Sequence, residues 1–425
     1  MNLPVFRHSQ TNINQFRFLS DSNNFYLMKR ILISFFVCLS IVYRVFTPIR
    51  YFYTGGIALS MLVPLLLLYT LGGLYRSVNF NITIVISLIP VLLSFSGIEY
   101  FIGYLPDSIT ILFAIGCFEY YLRTKDDKFA KFSLFAMYLS LFVLSIISTP
   151  ILIAEPGLNR AVNTMEEQGM EIPREAYFTI SYGMVHAVPI LVIPLFYLYK
   201  RLQSFCFKII VAVFIATLFI TTILSNASTP MFMLFMFVIF VLLYNPLKSN
   251  RINTIRIGGA CFILLIFYYF GLFTFILREG QSLLGGTMQE RRIDEVVYFM
   301  ETGEISGDIS KREDKYTLSL NTFLSHPFSW EENINKIGNH SYLLDHLTAM
   351  GLIAFIPFAL LLVYRYKKPL KYLGRGKFNY VLAYSAFIIL ACMKNFFCVE
   401  SAMFICPALI IYIRRNFVDS GVYKP

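Results

Sequence analysis

The chain has 425 residues, of which 57% are hydrophobic and only 14% charged, with a formal net charge of +11. Mean hydropathy is +0.64. Too few Lys, Glu, Arg and Asp are present to dress a soluble surface, so a one- or two-domain soluble protein is excluded. The positive charge reads as membrane loops obeying the positive-inside bias, not as a nucleic-acid footprint.

Apolar runs of about 16 to 22 residues recur along the chain, near the roughly 20 that cross the hydrocarbon as a helix. Barrel strands, about 10 residues and alternating, do not fit. The first 30 residues are polar, without signal-peptide features, so the first span reads as a retained anchor. Twelve spans are predicted: 31–49, 55–75, 82–102, 108–122, 132–153, 179–199, 209–226, 230–246, 257–277, 343–364, 379–394 and 398–413. The fold expected is all-α and polytopic, with residues 1–30 and 414–425 as polar ends.

Orientation follows from Lys and Arg. The segments 123–131, 200–208, 248–256 and 364–377 share one side with the segment ending Lys29-Arg30 and with Arg414 and Arg415. That side takes 24 of the 36 basic residues; seven of the other 12 sit in one long loop. Both termini are therefore expected in the cytoplasm. Two loops lie outside, 154–178 and 278–342. The longer joins spans nine and ten, carries 11 acids against 7 bases, and holds Trp330, the only tryptophan.

Chemistry in such a protein concentrates on polar groups that are costly where they sit. Outer-side arginines oppose the charge bias, and each presents a planar fork suited to phosphate. Arg278, Arg291, Arg292 and Arg312 are the candidates for a diphosphate. His340 stands where the long loop meets span ten, and a histidine there can take a proton from a hydroxyl at neutral pH. Ser341 and Asp345 read as the cap and the dipole complement of that helix. His346 lies six residues beyond His340, off its face, and reads as packing; His186 reads as a core histidine. Glu119 reads as snorkelling to the cytoplasmic interface, and Lys394 and Glu400 as an ion pair across an outer turn. The seven cysteines lack CxxC spacing, HExxH is absent, and no Walker loop, GxGxxG or GxSxG occurs.

The order "GDISKREDKYTLSLNTFLSHPFSW" (307–330) then "NHSYLLDHLTAMGLIAFIPFALLL" (339–362) resembles the O-antigen polymerase (Wzy) and O-antigen ligase superfamily of polytopic glycosyltransferases. The matching positions are Arg312, Ser319, Phe323, His326-Pro327, Asn339-His340-Ser341-Tyr342-Leu343 and Gly351-Leu352. Two departures stand out. The order is Asn339-His340 where His-Asn is commoner, and the hairpin 224–231 lacks a Ser-Arg pair.

The resemblance implies a GT-C-like membrane fold in the bacterial inner membrane, with 278–342 in the periplasm. It implies polymerisation of oligosaccharide repeat units carried on undecaprenyl diphosphate, without cofactor, metal or nucleotide sugar. A chain-length regulator and a flippase are the protein partners it implies. His340 would be the base, and Tyr342, Asn339 and His326 would line the sugar site. Two alternatives stay open. A ligase would pass finished polymer to the lipid A core. A lipid-linked oligosaccharide flippase would form no bond, although repeated halves, common in transporters, are not visible here.

Overall fold

The structure is a computed structural model. It describes residues 10–49, 57–93, 98–167, 170–244, 250–269, 271–282, 288–302, 307–328, 337–338, 340–393 and 408–415. Every regular element among them is helical. In chain order these are α1 (Gln10–Val45), α2 (Ile57–Thr70), α3 (Val78–Leu93), α4 (Ile98–Thr124), α5 (Asp127–Ala154), α6 (Leu158–Glu167), α7 (Tyr182–Arg201), α8 (Phe205–Leu224), α9 (Ser228–Leu243), α10 (Asn250–Tyr269), α11 (Leu272–Ser282), α12 (Met288–Thr302), α13 (Gly307–Ser325), α14 (Tyr342–Leu370) and α15 (Lys377–Met393).

Five stretches are long and apolar enough to cross a membrane: Phe25–Val45 of α1, α5, the stretch ending in α7, α8, and α14. Segments of α2, α3, α9 and α15 are apolar but shorter. The expected span nine, 257–277, is divided: Gly271, at φ 68°, precedes α11. The twelfth expected span lies outside the described residues except for 408–413.

The bundle is built around α7. In its apolar stretch 78% is buried by protein, against 22–39% in the other four. α8, α9 and α15 pack on it, while α1 packs on α5 and α2, and α4 lies against α2 and α3. Large apolar side chains of α5 and α8, such as Phe135 and Phe207, stay exposed on the outer wall, as lipid-facing helices require. His186 of α7 is buried, with its Nδ1 2.9 Å from the Tyr182 carbonyl, which bears out the core reading.

Polar contacts sort the helix ends into two groups. At one end, Asp126 caps α5 through Lys128 N–H and Phe129 N–H and also holds Arg30 at 3.2 Å. Arg415 reaches Asp127 at 2.7 Å, so the segments holding Arg30 and Arg415 meet the same α4–α5 turn. Glu119 finds both Arg365 and Lys368 there, and Arg365 also donates to Thr83 Oγ1. The acid is thus an internal ion-pair hub, 8% exposed, not a snorkelling side chain.

At the opposite end, Thr47 donates to the Thr179 carbonyl and the Asn159 amide donates to the Ile180 carbonyl and to Ser225 Oγ. Gly157 N–H bonds the Leu224 carbonyl at φ 84°, and a Cβ there would lie 2.7 Å from the Asn226 amide. Ser225 and Asn226 therefore anchor the 154–180 segment, a structural use for the hairpin that lacks a Ser-Arg pair.

Candidate functional site

The junction expected to carry chemistry is assembled by α13 and the first part of α14. Ser341 caps α14, its Oγ accepting from Leu344 N–H at 3.3 Å. Asp345, 6% exposed, closes the cap from the other side, because its Oδ2 accepts from Ser341 N–H at 2.8 Å. Both sequence readings hold, and the structure adds a second role. Asp345 Oδ1 accepts from the Ser319 hydroxyl of α13 at 2.7 Å. Ser319 Oγ in turn accepts from Gly338 N–H at 2.9 Å. Thr348 Oγ1 donates to the Ser319 carbonyl at 2.9 Å. A buried carboxylate needs such donors, since an unmet buried polar group costs about 1–3 kcal/mol.

Gly338 explains how the chain reaches this position. A Cβ there would lie 2.1 Å from the Lys315 carbonyl oxygen, so the backbone lies directly on α13 where only glycine fits. Gly338 is thereby fastened to α13, and Ser341 is tied to the same helix through Asp345.

α14 is not one straight span. Gly351 is non-helical at φ 67°, ψ 171°, a region essentially reserved for glycine. The helix turns back on itself there. The Tyr342 and His346 rings lie 6.4 and 5.5 Å from the Phe358 ring, contacts that a straight helix cannot make across those intervals. The freed Leu352 N–H is met by the Pro327 carbonyl at 2.9 Å. The expected continuous span 343–364 is therefore a short first segment up to Met350, folded against a longer second segment from Leu352. Irregular backbone at such a place is tolerated because protein, not lipid, satisfies it.

The predicted site residues now divide. His340 is half-buried, its ring 5.8 Å from that of Tyr316 and its Nε2 shielded from solvent. Arg312 is half-buried one turn before Tyr316 on α13. His326 is half-buried at the α13 C-terminus, its N–H on the Thr322 and Phe323 carbonyls. Tyr342 is buried, with its ring 4.0 Å from His346. His346 Nδ1 lies 2.7 Å from the Tyr342 carbonyl and its ring stacks on Phe358, so it packs, as expected. Arg278 is placed elsewhere: it pairs with Glu301 at 2.5 Å across the α11–α12 hairpin, with both side chains exposed. Arg291 and Arg292 belong to α12, but their side chains, like Asn339, Trp330, Lys394 and Glu400, lie outside the described residues.

Tyr316 escaped the sequence reading, since one tyrosine among 28 carries no signal. Its hydroxyl donates to the Met393 carbonyl at 2.8 Å, tying α13 to the end of α15 beside His340. Burial pushes the Tyr316 phenol above its ordinary value, while Arg312 pulls it back and Asp345 raises it further. A raised folded value means that stability from the neutral phenol is full below about pH 10 and is lost as pH rises beyond it. Tyr316→Phe should cost about 0.5–1.5 kcal/mol at neutral pH. In melting curves taken from pH 7 to 11, the gap from the native protein should close only at the alkaline end. A gap independent of pH would mean that the hydroxyl is not the anchor.

Among the described residues no group of three His, Cys, Asp or Glu is arranged to hold a metal ion. A cavity of about 80 Å³ opens between α4, α14 and α15, with Tyr342 in its wall and Arg365 and Lys368 at its far side. No protein-family model and no curated protein matches the chain.

Proposed function

We propose that the protein is a polysaccharide polymerase of the bacterial inner membrane, joining oligosaccharide repeat units carried on undecaprenyl diphosphate. One observation carries the reading. Residues spread from 312 to 352 that make up the glycosyltransferase-like pattern converge: Ser319 meets Ser341 through Asp345, and Pro327 meets Leu352. They converge around His340, at the end of the bundle away from the basic loops. By the positive-inside bias that end is periplasmic and both termini are cytoplasmic. With twelve spans and a GT-C-like layout, the 278–342 region then forms a helical cap over the outer face.

In this reading His340 removes the proton from an acceptor sugar hydroxyl. The freed oxygen forms a bond to the anomeric carbon of the growing chain's first sugar. The bond from that carbon to the lipid diphosphate breaks, and the diphosphate leaves with the electron pair. Arg312, on the same face of α13 as Tyr316, offsets the charge that builds on the leaving group. Arg291 and Arg292 are the further candidates for that role, and Arg278 joins them only when its exposed pair with Glu301 separates. Tyr342, Asn339 and His326 line the sugar path. A chain-length regulator and a flippase are the partners the reaction calls for.

The test supplies purified protein in vesicles with lipid-linked repeat units and follows product length. A ladder of polymer supports the reading. Arg312→Ala should shorten or thin the ladder by about 10²-fold or more, as loss of a group stabilising transition-state charge does. Movement of labelled lipid-linked sugar across the vesicle with no new bond would replace the polymerase with a transporter. Transfer only to lipid A core would replace it with a ligase.

A further inference from the structure

The cavity between α4, α14 and α15 runs from Tyr342, two residues beyond His340, to a cationic end at Arg365 and Lys368 that the proposed reaction does not use. Its walls are apolar and aromatic, with Ala114 and Phe118 from α4, Leu361 from α14 and Tyr384 from α15 among them. Tyr384 is fixed there, donating to the Leu362 carbonyl at 3.1 Å and stacking on Tyr366 at 4.1 Å.

Two features define what could bind. The first is size. Pockets for drug-sized ligands run to roughly 300–1,000 Å³, and this one, at about 80 Å³, admits only a slender apolar chain. The second is charge. Arg365 and Lys368 both point at one oxygen of Glu119, so two cations share one carboxylate and a positive charge is left over. Arg365 Nε is buried and, among the described residues, meets no hydrogen-bond acceptor. A desolvated donor of this kind is costly until an acceptor meets it. Lys368, 20% exposed, stands at the rim in the basic stretch 364–377, the depth of lipid headgroups.

We propose that this cavity binds an anionic phospholipid, one chain lying among the tyrosines and the headgroup phosphate resting on Arg365 and Lys368. The inference is independent of the glycosyltransferase reading. A free phosphate shares the headgroup chemistry but leaves the apolar walls unused.

The test uses the full-length protein in nanodiscs of phosphatidylcholine with a minor fraction of phosphatidylglycerol. Retained lipid is counted by native mass spectrometry after mild extraction. The native protein should keep phosphatidylglycerol in preference to phosphatidylcholine, and excess inorganic phosphate should not displace it. Lys368→Gln removes the rim cation, and Ala114→Phe fills the cavity without touching a charge. Each should lower the retained anionic lipid by about tenfold, for Lys368→Gln the scale of one charge-assisted bond and for Ala114→Phe that of about two methylenes kept out of the cavity. Where one variant does not elute as a folded protein, the other decides. Equal retention by native protein and variant overturns the proposal, as does equal retention of the two lipids or displacement by phosphate alone.

Discussion

His340→Ala should abolish visible polymer, with a fall of about 10²–10⁴-fold in the rate of bond formation, the usual worth of a positioned general base. The protein should remain folded, because the ring is only half-buried and the buried network beside it runs through Ser319, Asp345 and Ser341. His340→Gln keeps much of the shape and hydrogen-bonding capacity but cannot take the proton, so it should be as inactive as the alanine variant. Added imidazole should restore part of the activity of His340→Ala and none of that of an Arg312 variant. Full-length polymer from His340→Ala would remove His340 from the chemistry and leave the junction a structural one.

Gly351→Ala should unseat the junction without touching any reacting group. At φ 67°, ψ 171° an alanine carries strain of order 1–3 kcal/mol. Its Cβ would also sit 3.2 Å from the Pro327 carbonyl oxygen, the acceptor for Leu352 N–H. The cheapest relief is to extend the helix through residue 351, which swings Tyr342–Met350 away from Phe358 and pulls Asp345 and Thr348 off Ser319 of α13. Hydrogen exchange at Leu352, Ser341 and Gly338 should accelerate together by about 10–100-fold, the equivalent of that strain. Activity should fall with it while the α7 amides keep their protection. Unchanged exchange at Leu352 would show that the turn tolerates a side chain.

The sequence reading reached furthest where a physical cue is local. Apolar run length placed α1, α5, α7 and α8, and a serine before an apolar run placed the start of α14 at Ser341. It stopped where the cause is remote. Nothing in "HLTAMGLIAF" marks Gly351 as a break, since glycine is common in membrane helices; the turn depends on Pro327, which lies in a different segment. Glu119 looked like a lone acid because Arg365 stands 246 residues away. Asp345 looked like a dipole complement because the Ser319 hydroxyl that completes its shell is 26 residues upstream.

Among the five long apolar stretches, the lowest hydropathy marks the centre. The stretch containing α7 has the lowest mean hydropathy of the five, 1.7 against up to 2.5, and is the most enclosed. In a bilayer the less apolar helix is the one that withdraws behind its neighbours, because lipid, unlike water, offers polar groups nothing.

The enclosure of α7 also decides how the protein feels the membrane around it. A helix of 20 residues such as α8 is about 30 Å long, the thickness of an average hydrocarbon core, whereas the 28 residues of α5 are about 42 Å and must tilt or protrude. Thickening or thinning the bilayer acts on these outer helices, which meet the lipid directly. α7 has little lipid contact through which to be pushed. Changes in acyl-chain length should therefore alter the tilt of the perimeter while the axis of the bundle, and the α15 surface packed on it, stays in register.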